Sequence, residues 1–307
     1  MLQEAALAVS VKRAGTLASN QSSPYKEGTM SIINIAQFSK NYGKFTAVEN
    51  MNLTVEKGQI VGFVGKNGAG KSTTIRSMVN VLTPTKGTIT IGGLDAVKDA
   101  KKIKRFLSYM PGDAMFYGNV TCTELFQLCL SFSPAEMKEV EELAAYFELD
   151  LNKRIAALSL GNRKKVSIIQ AFLKRGEIIV MDEPTSGLDP LMQERFFDLI
   201  RKEKEKGNTV FLSSHNLSEI EKYCDQTVII KDGKIVDILD MSEVKLKRRQ
   251  IVTYTTKDQN TERFVFDGEI NDLMARLAAL DLESVEIKAE TIEDEFIKYY
   301  KAGENDA

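Results

Sequence analysis

The chain has 307 residues, 43% apolar and 27% charged, with 6 prolines and 20 glycines, a make-up that supports a buried core and leaves little room for extended disorder. Lys plus Arg (41) nearly balances Asp plus Glu (43), so no overall positive field draws the chain to nucleic acid or to a membrane surface. Three cysteines, Cys122, Cys129 and Cys224, without C-x-x-C spacing argue against a disulfide framework, and the single histidine, His215, argues against a His/Cys metal site.

No apolar stretch approaches the ~18 residues that a membrane-spanning helix needs. The early run Ala5 to Val11 is followed by Lys12-Arg13, the reverse of the charge order of a secretory signal, so export is not expected. Residues 1–29 lack strong periodicity and end in the turn-rich Asn20 to Pro24, which predicts a flexible extension; Met30 is a candidate natural start. Apolar alternation at Ile33, Ile35, Met51, Leu53 and Val55 predicts strands with one buried face. The run Gln59 to Val64 predicts a central strand, leading through a glycine loop into a helix over about 71–81.

From about 119 to 175 helix signals dominate. Thr121-x-x-Glu124 is a capping box, and Ser133-Pro134-x-Glu136 predicts a second helix with Ser133 as N-cap and Pro134 at its first position. Strands are predicted at 177–181, 209–213 and 227–230, a helix at about 191–205, and a hairpin turn at Asp232-Gly233. The basic run Lys245 to Arg249 marks a boundary, read as a solvated linker face. Beyond it, strands at 251–256, 264–266 and 285–289, a helix at about 271–280 and a helix capped by Thr291 predict a small α+β module.

The chemistry sits at three places. Gly65-Lys66-Asn67-Gly68-Ala69-Gly70-Lys71-Ser72 fits G-x-x-x-x-G-K-[ST] between a predicted strand and a predicted helix. Its backbone N–H groups, with Thr73 next in line, suit a triphosphate, and the helix N-terminus adds a fractional positive charge. Lys71 is the candidate for the β and γ phosphates of ATP and Ser72 for Mg²⁺. Asp182-Glu183 follows an apolar strand, which suits Asp182 to the metal, directly or through water, and Glu183 to a general base.

Leu158-Ser159-Leu160-Gly161-Asn162, 23 positions before Asp182, resembles the LSGGQ signature of ATP-binding cassette (ABC) proteins; Pro184 to Asp189 resembles their D-loop, and His215 their switch histidine. Over about residues 31–240 the resemblance implies a P-loop ATPase cassette in the α/β class. It would have a mixed sheet core, an antiparallel β subdomain and a helical insert at about 113–175, within a cassette of 30–242 and ahead of an accessory domain at 243–307. By the same resemblance Tyr42 stacks on adenine, and Ser159, Gly161 and Asp189 join the nucleotide set. Two copies are implied, the signature of one closing over ATP held by the other. Residues 285–296 resemble the extension that ends ATPase subunits of the bacitracin and multidrug exporter type.

The sequence departs from that pattern at Gly112, where relatives usually carry a Gln or Glu able to touch Mg²⁺ and water; Asp113 is the candidate substitute. Leu160 and Asn162 replace Gly and Gln of the signature. The implied activity is transport-coupled ATP hydrolysis on the cytoplasmic face of a membrane, powering a separate permease contacted by the helical insert and the loop from Met110 to Tyr117, with a drug, peptide or lipid as cargo. No nucleic-acid partner is expected. The alternative is a soluble ABC ATPase acting on ribosomes or DNA, against which stand the absence of a second cassette repeat and of heptads. Glu183 and His215 weigh against a non-hydrolysing regulatory subunit.

Overall fold

A computed structural model describes residues 31–113, 116, 118–246, 249–291 and 293. The expected N-terminal extension, part of the basic run and the helix expected after Thr291 lie outside the described residues.

Two long strands open the fold: β1 (Ser31–Tyr42) and β2 (Phe45–Glu56) pair antiparallel, and β1 also pairs with β4 (Lys86–Ile91), which carries the short β5 (Leu94–Asp95). The alternating residues Ile33, Ile35, Met51, Leu53 and Val55 are all buried, as their period of two requires.

The second sheet has six strands in the order β10-β9-β3-β8-β7-β6. It comprises β3 (Ile60–Val64), β6 (Leu107–Met110), β7 (Ile178–Met181), β8 (Thr209–Ser214), β9 (Gln226–Lys231) and β10 (Lys234–Asp240). All neighbouring pairs are parallel except β9–β10, the hairpin predicted at Asp232-Gly233. The central strands are buried on both faces, which explains their unbroken apolar runs. Val61, Phe63, Val180 and Phe211 face one core with the first sheet; Ile60, Val64, Ile179, Met181 and Leu212 face the other. Each such side chain contributes roughly 1.5–3 kcal/mol by leaving water.

Helices join these strands: α1 (Lys71–Met78) after β3, α2 (Ala100–Phe106) before β6, α6 (Pro190–Glu205) between β7 and β8, α7 (Leu217–Tyr223) after β8 and α8 (Met241–Leu246) after β10. Between β6 and β7 the chain builds the helical insert from α3 (Cys122–Leu130), α4 (Met137–Tyr146) and α5 (Leu160–Leu173). The capping box at Thr121 and Glu124 forms as expected, with the Glu124 backbone N–H donating to Thr121 Oγ1 at 3.2 Å and the Thr121 N–H donating to Glu124 Oε2 at 2.7 Å. Thr121→Ala is expected to cost about 1 kcal/mol of stability, typical of a lost N-cap, measurable by urea unfolding.

The next helix starts three residues later than its sequence signals suggest. Glu136, not Ser133, is the N-cap and forms its own capping box with Glu139. Ser133 donates its hydroxyl to the Leu173 carbonyl and accepts from the Ala135 N–H at 3.2 Å, so it closes a local turn just ahead of the helix and ties that turn to a residue 40 positions away.

The C-terminal residues form a three-stranded antiparallel sheet, β12-β11-β13, from β11 (Gln250–Thr256), β12 (Thr261–Phe266) and β13 (Leu282–Ala289), with α9 (Ile270–Ala278). Val252, Tyr254, Leu273 and Leu277 make a small core of their own, the expected α+β arrangement. Arg249, from the basic run, pairs with Glu290 at 2.8 Å.

Candidate active site

The C-terminal ends of β3, β8 and β7 lie side by side, Val64 level with Ser214 and Met181 level with Leu212. The Gly65–Ser72 loop leaves β3, Asp182-Glu183 leaves β7, and His215 follows β8, which lies between them. Ligands of open α/β sheets gather at this edge.

The loop is braced from outside. The Gly233 N–H donates to the Ala69 carbonyl at 3.0 Å, so the β9–β10 turn supports it, and the Ala69 N–H donates to Lys66 O at 3.1 Å. Gly70 is the N-cap of α1 at φ 108°, a left-handed conformation suited to glycine, and it offers no side-chain cap; no acidic residue occupies the first turn. By contrast Ser159 caps α5, Asp189 caps α6 and Asn216 caps α7 with their own side chains. The positive end of α1 and its free donors are thereby left to an anionic ligand.

Lys71, only 6% exposed, donates to the Gly65 carbonyl at 2.6 Å and stands 3.2 Å from Glu183 Oε1. That carboxylate oxygen makes no aligned hydrogen bond, so its link to Lys71 is an ion pair. Glu183 Oε2 lies 2.7 Å from His215 Nδ1; the His215 side chain is 60% exposed. Ser213 Oγ donates to Asp182 Oδ1 at 2.7 Å and accepts from the Glu183 N–H at 2.9 Å. Behind His215, Thr185 Oγ1 and Asn216 Nδ2 donate to Glu219, whose carboxyl burial pushes above the ordinary glutamate value.

The structure thus joins Lys71, Glu183 and His215 directly, with Asp182 next to them through Ser213. Ser72 and Thr73 lie half-buried in the first turn of α1 beside Lys71. Tyr42, 45% exposed, ends β1 with the Lys40 ammonium 5.4 Å from its ring centre. Ser159 Oγ accepts from the Asn162 N–H at 3.3 Å and Asp189 Oδ1 from the Met192 N–H at 3.0 Å; within one chain both are helix caps. Gly161 lies against the D-loop, where a Cβ would come within 2.8 Å of the Gly187 carbonyl.

At Gly112 a Cβ would come 3.3–3.4 Å from the Asp182 carbonyl oxygen and carboxylate, so a side chain at this position would lie directly against the carboxylate after a small adjustment. Asp113 is exposed. Ser213 and Lys164 were not singled out by sequence. Ser213 is the next-to-last residue of the apolar β8 and carries no motif; Lys164 follows Arg163 in a polar stretch that reads as solvent-facing, yet it is 7% exposed, in a part of α5 buried from Lys164 to Ile169.

The region 48–186 matches the ABC transporter family model. The bacitracin transport ATP-binding protein BcrA of Bacillus licheniformis is 35% identical over 234 residues, 75% of this chain and 76% of that protein. The chain belongs to the ABC transporter family. As a member it is an ATP-binding, ATP-hydrolysing subunit. Among solved structures, the ATP-binding subunit of an ABC transporter superposes with a TM-score of 0.64 at 29% identity, over 70% of this chain and 92% of that one. The cassette MJ0796, solved as a dimer bound to ADP and Pi, shares the fold with a TM-score of 0.62 at 24% identity, over 68% of this chain and 98% of that one. Among the described residues of this ABC subunit, no helix is long and apolar enough to cross a membrane.

Proposed function

We propose that this ABC subunit powers a separate transmembrane permease from the cytoplasmic face of the membrane, pairing with a second cassette each time it binds ATP. The observation that carries the reading is the Lys71–Glu183–His215 cluster at the mouth of the uncapped α1. The cassette is assigned to 30–242, with its helical subdomain at about 113–175, and the accessory domain to 243–307.

In this reading the loop from Gly65 to Thr73, including Asn67, Gly68, Ala69 and Gly70, turns its N–H groups on the phosphates, and Lys71 binds the β and γ phosphates. A phosphate competes with Glu183 for the same ammonium, so nucleotide arrival and release of the carboxylate are linked by charge. Ser72 and Asp182 supply the hard oxygen donors that Mg²⁺ prefers, and Ser213 fixes Asp182 in place. Mg²⁺, when bound, offsets phosphate charge. Glu183 takes the proton of the attacking water, and His215 holds Glu183 Oε2 in line for it. Tyr42 offers its exposed ring to adenine. Ser159 and Gly161, with Asp189 nearby, close on the γ-phosphate held by the other cassette, so binding shuts the pair and hydrolysis reopens it.

A groove of roughly 710 Å³ between the sheet core and the helical insert supports the permease contact. Val81, Ile103, Phe116, Leu128 and Phe132 line it, and Phe132 and Leu128 stand exposed at its rim. Exposed apolar groups gathered in one groove suit a partner's apolar helix. BcrA is named for bacitracin transport, which favours export of a drug, peptide or lipid here too. The expected outcome is that the tagged chain sediments with membranes from its own cells and co-purifies in mild detergent with a multispan protein. Recovery only with ribosomes or DNA would overturn the reading.

A further inference from the structure

Glu183 has a backbone conformation that its side chain does not favour. Its φ is 48°, in the left-handed region that residues other than glycine rarely occupy. Such a conformation persists only where neighbours over-determine it. Here the Glu183 N–H donates to Ser213 Oγ at 2.9 Å and the carboxylate is held between Lys71 and His215. The remaining polar group, the Glu183 carbonyl, accepts from Lys164 Nζ at 2.9 Å.

Lys164 makes a second bond of 2.9 Å to the Gly112 carbonyl. It therefore joins three segments: the signature helix α5, the loop that passes over Asp182, and the turn that carries the general base. Asp113, Asp182 and Glu183 all lie within electrostatic reach of its ammonium. Burying an ammonium group with two neutral carbonyls as its hydrogen-bond partners is unfavourable, and a methionine of similar length would fill the same space without that cost. Packing alone thus gives no reason for a lysine here, whereas tying the Gly112 and Glu183 carbonyls together does; the Glu183 carbonyl has besides it only a long 3.4 Å bond from the Ser186 N–H among the described donors.

We propose that Lys164 is a positioning residue for ATP hydrolysis, holding the Glu183 main chain in the left-handed turn that aims its carboxylate between Lys71 and His215. Gly161 lies three residues earlier on the same helix face, so movement of the signature end of α5 reaches Glu183 through one charged contact. With Gly112 in place of a longer polar residue, this tie comes from the helix rather than from the loop. The inference rests on the role assigned to Glu183 under Proposed function.

The test is Lys164→Met in the full chain, alone and combined with Glu183→Gln. The single variant is expected to lose roughly 10–100-fold in kcat, the scale of a small misplacement of a reacting group, with ATP affinity and the thermal midpoint close to wild type. Combined with Glu183→Gln it is expected to add nothing to that variant's residual single-turnover rate, because both changes act through one carboxylate. Wild-type kcat in Lys164→Met overturns the proposal. So does an equal loss in both backgrounds, or a loss of kcat that tracks lost ATP affinity. If Lys164→Met yields no folded protein, Lys164→Gln, which keeps one donor group without the charge, is judged by the same readouts. Should Glu183→Gln itself turn over at the wild-type rate, the base assignment falls; should it be inactive while Lys164→Met is normal, only the present inference falls.

Discussion

Lys71→Ala is expected to abolish ATP binding at ordinary concentrations. The ammonium is buried, holds the start of the phosphate loop through Gly65 O and faces the Glu183 carboxylate. Its removal takes away the cation meant for the phosphates and leaves Glu183 uncompensated beside an incoming anion of about four charges. Truncating one partner of such a desolvated pair costs about 2–5 kcal/mol, or roughly 30-fold to several thousand-fold in affinity. Isothermal titration with ATP reads this directly. An affinity within threefold of wild type would remove Lys71 from the phosphate site.

Glu183→Gln should have the opposite profile, keeping ATP while losing turnover. The amide preserves a polar contact with His215 but cannot take a proton from water, and general-base assistance is worth roughly 10²–10⁴ in rate. Neutralising the group also removes the carboxylate that competes with phosphate for Lys71. ATP should therefore hold the variant as a dimer on size exclusion, against a monomer without nucleotide. A variant that stays monomeric in saturating ATP while wild type dimerises would show that Glu183 does not have this role.

Much of this was legible from residues close together in the chain. The phosphate loop is eight consecutive residues whose function depends on their own backbone. The strand and helix that frame it read correctly because they are local events: β3 ends at Val64 and α1 starts at Lys71. The Asp232-Gly233 turn and the Thr121 capping box were readable for the same reason, each being closed by hydrogen bonds across two or three residues. The local reading is off by three residues at the start of α4, where Ser133 closes a turn with Ala135 and is tied to Leu173, while Glu136 caps the helix together with Glu139.

Sequence by itself determined the chemical inventory and the faces of the elements: a cation and hydroxyl after one strand, two carboxylates after another, a lone histidine after a third, and apolar periods that decide which side of each strand is buried. Only the tertiary structure decided how that inventory is arranged. The order β3-β8-β7 brings Ser213 to Asp182 and His215 to Glu183. The closeness of Gly112 to Asp182 and the reach of Lys164 to Gly112 and Glu183 across 52 and 19 residues are likewise set by sheet order and helix packing. The physical reason is range: turns and periodicity act over a few residues, whereas a buried charge and a strained backbone are held by groups that meet only once the separate segments have packed together.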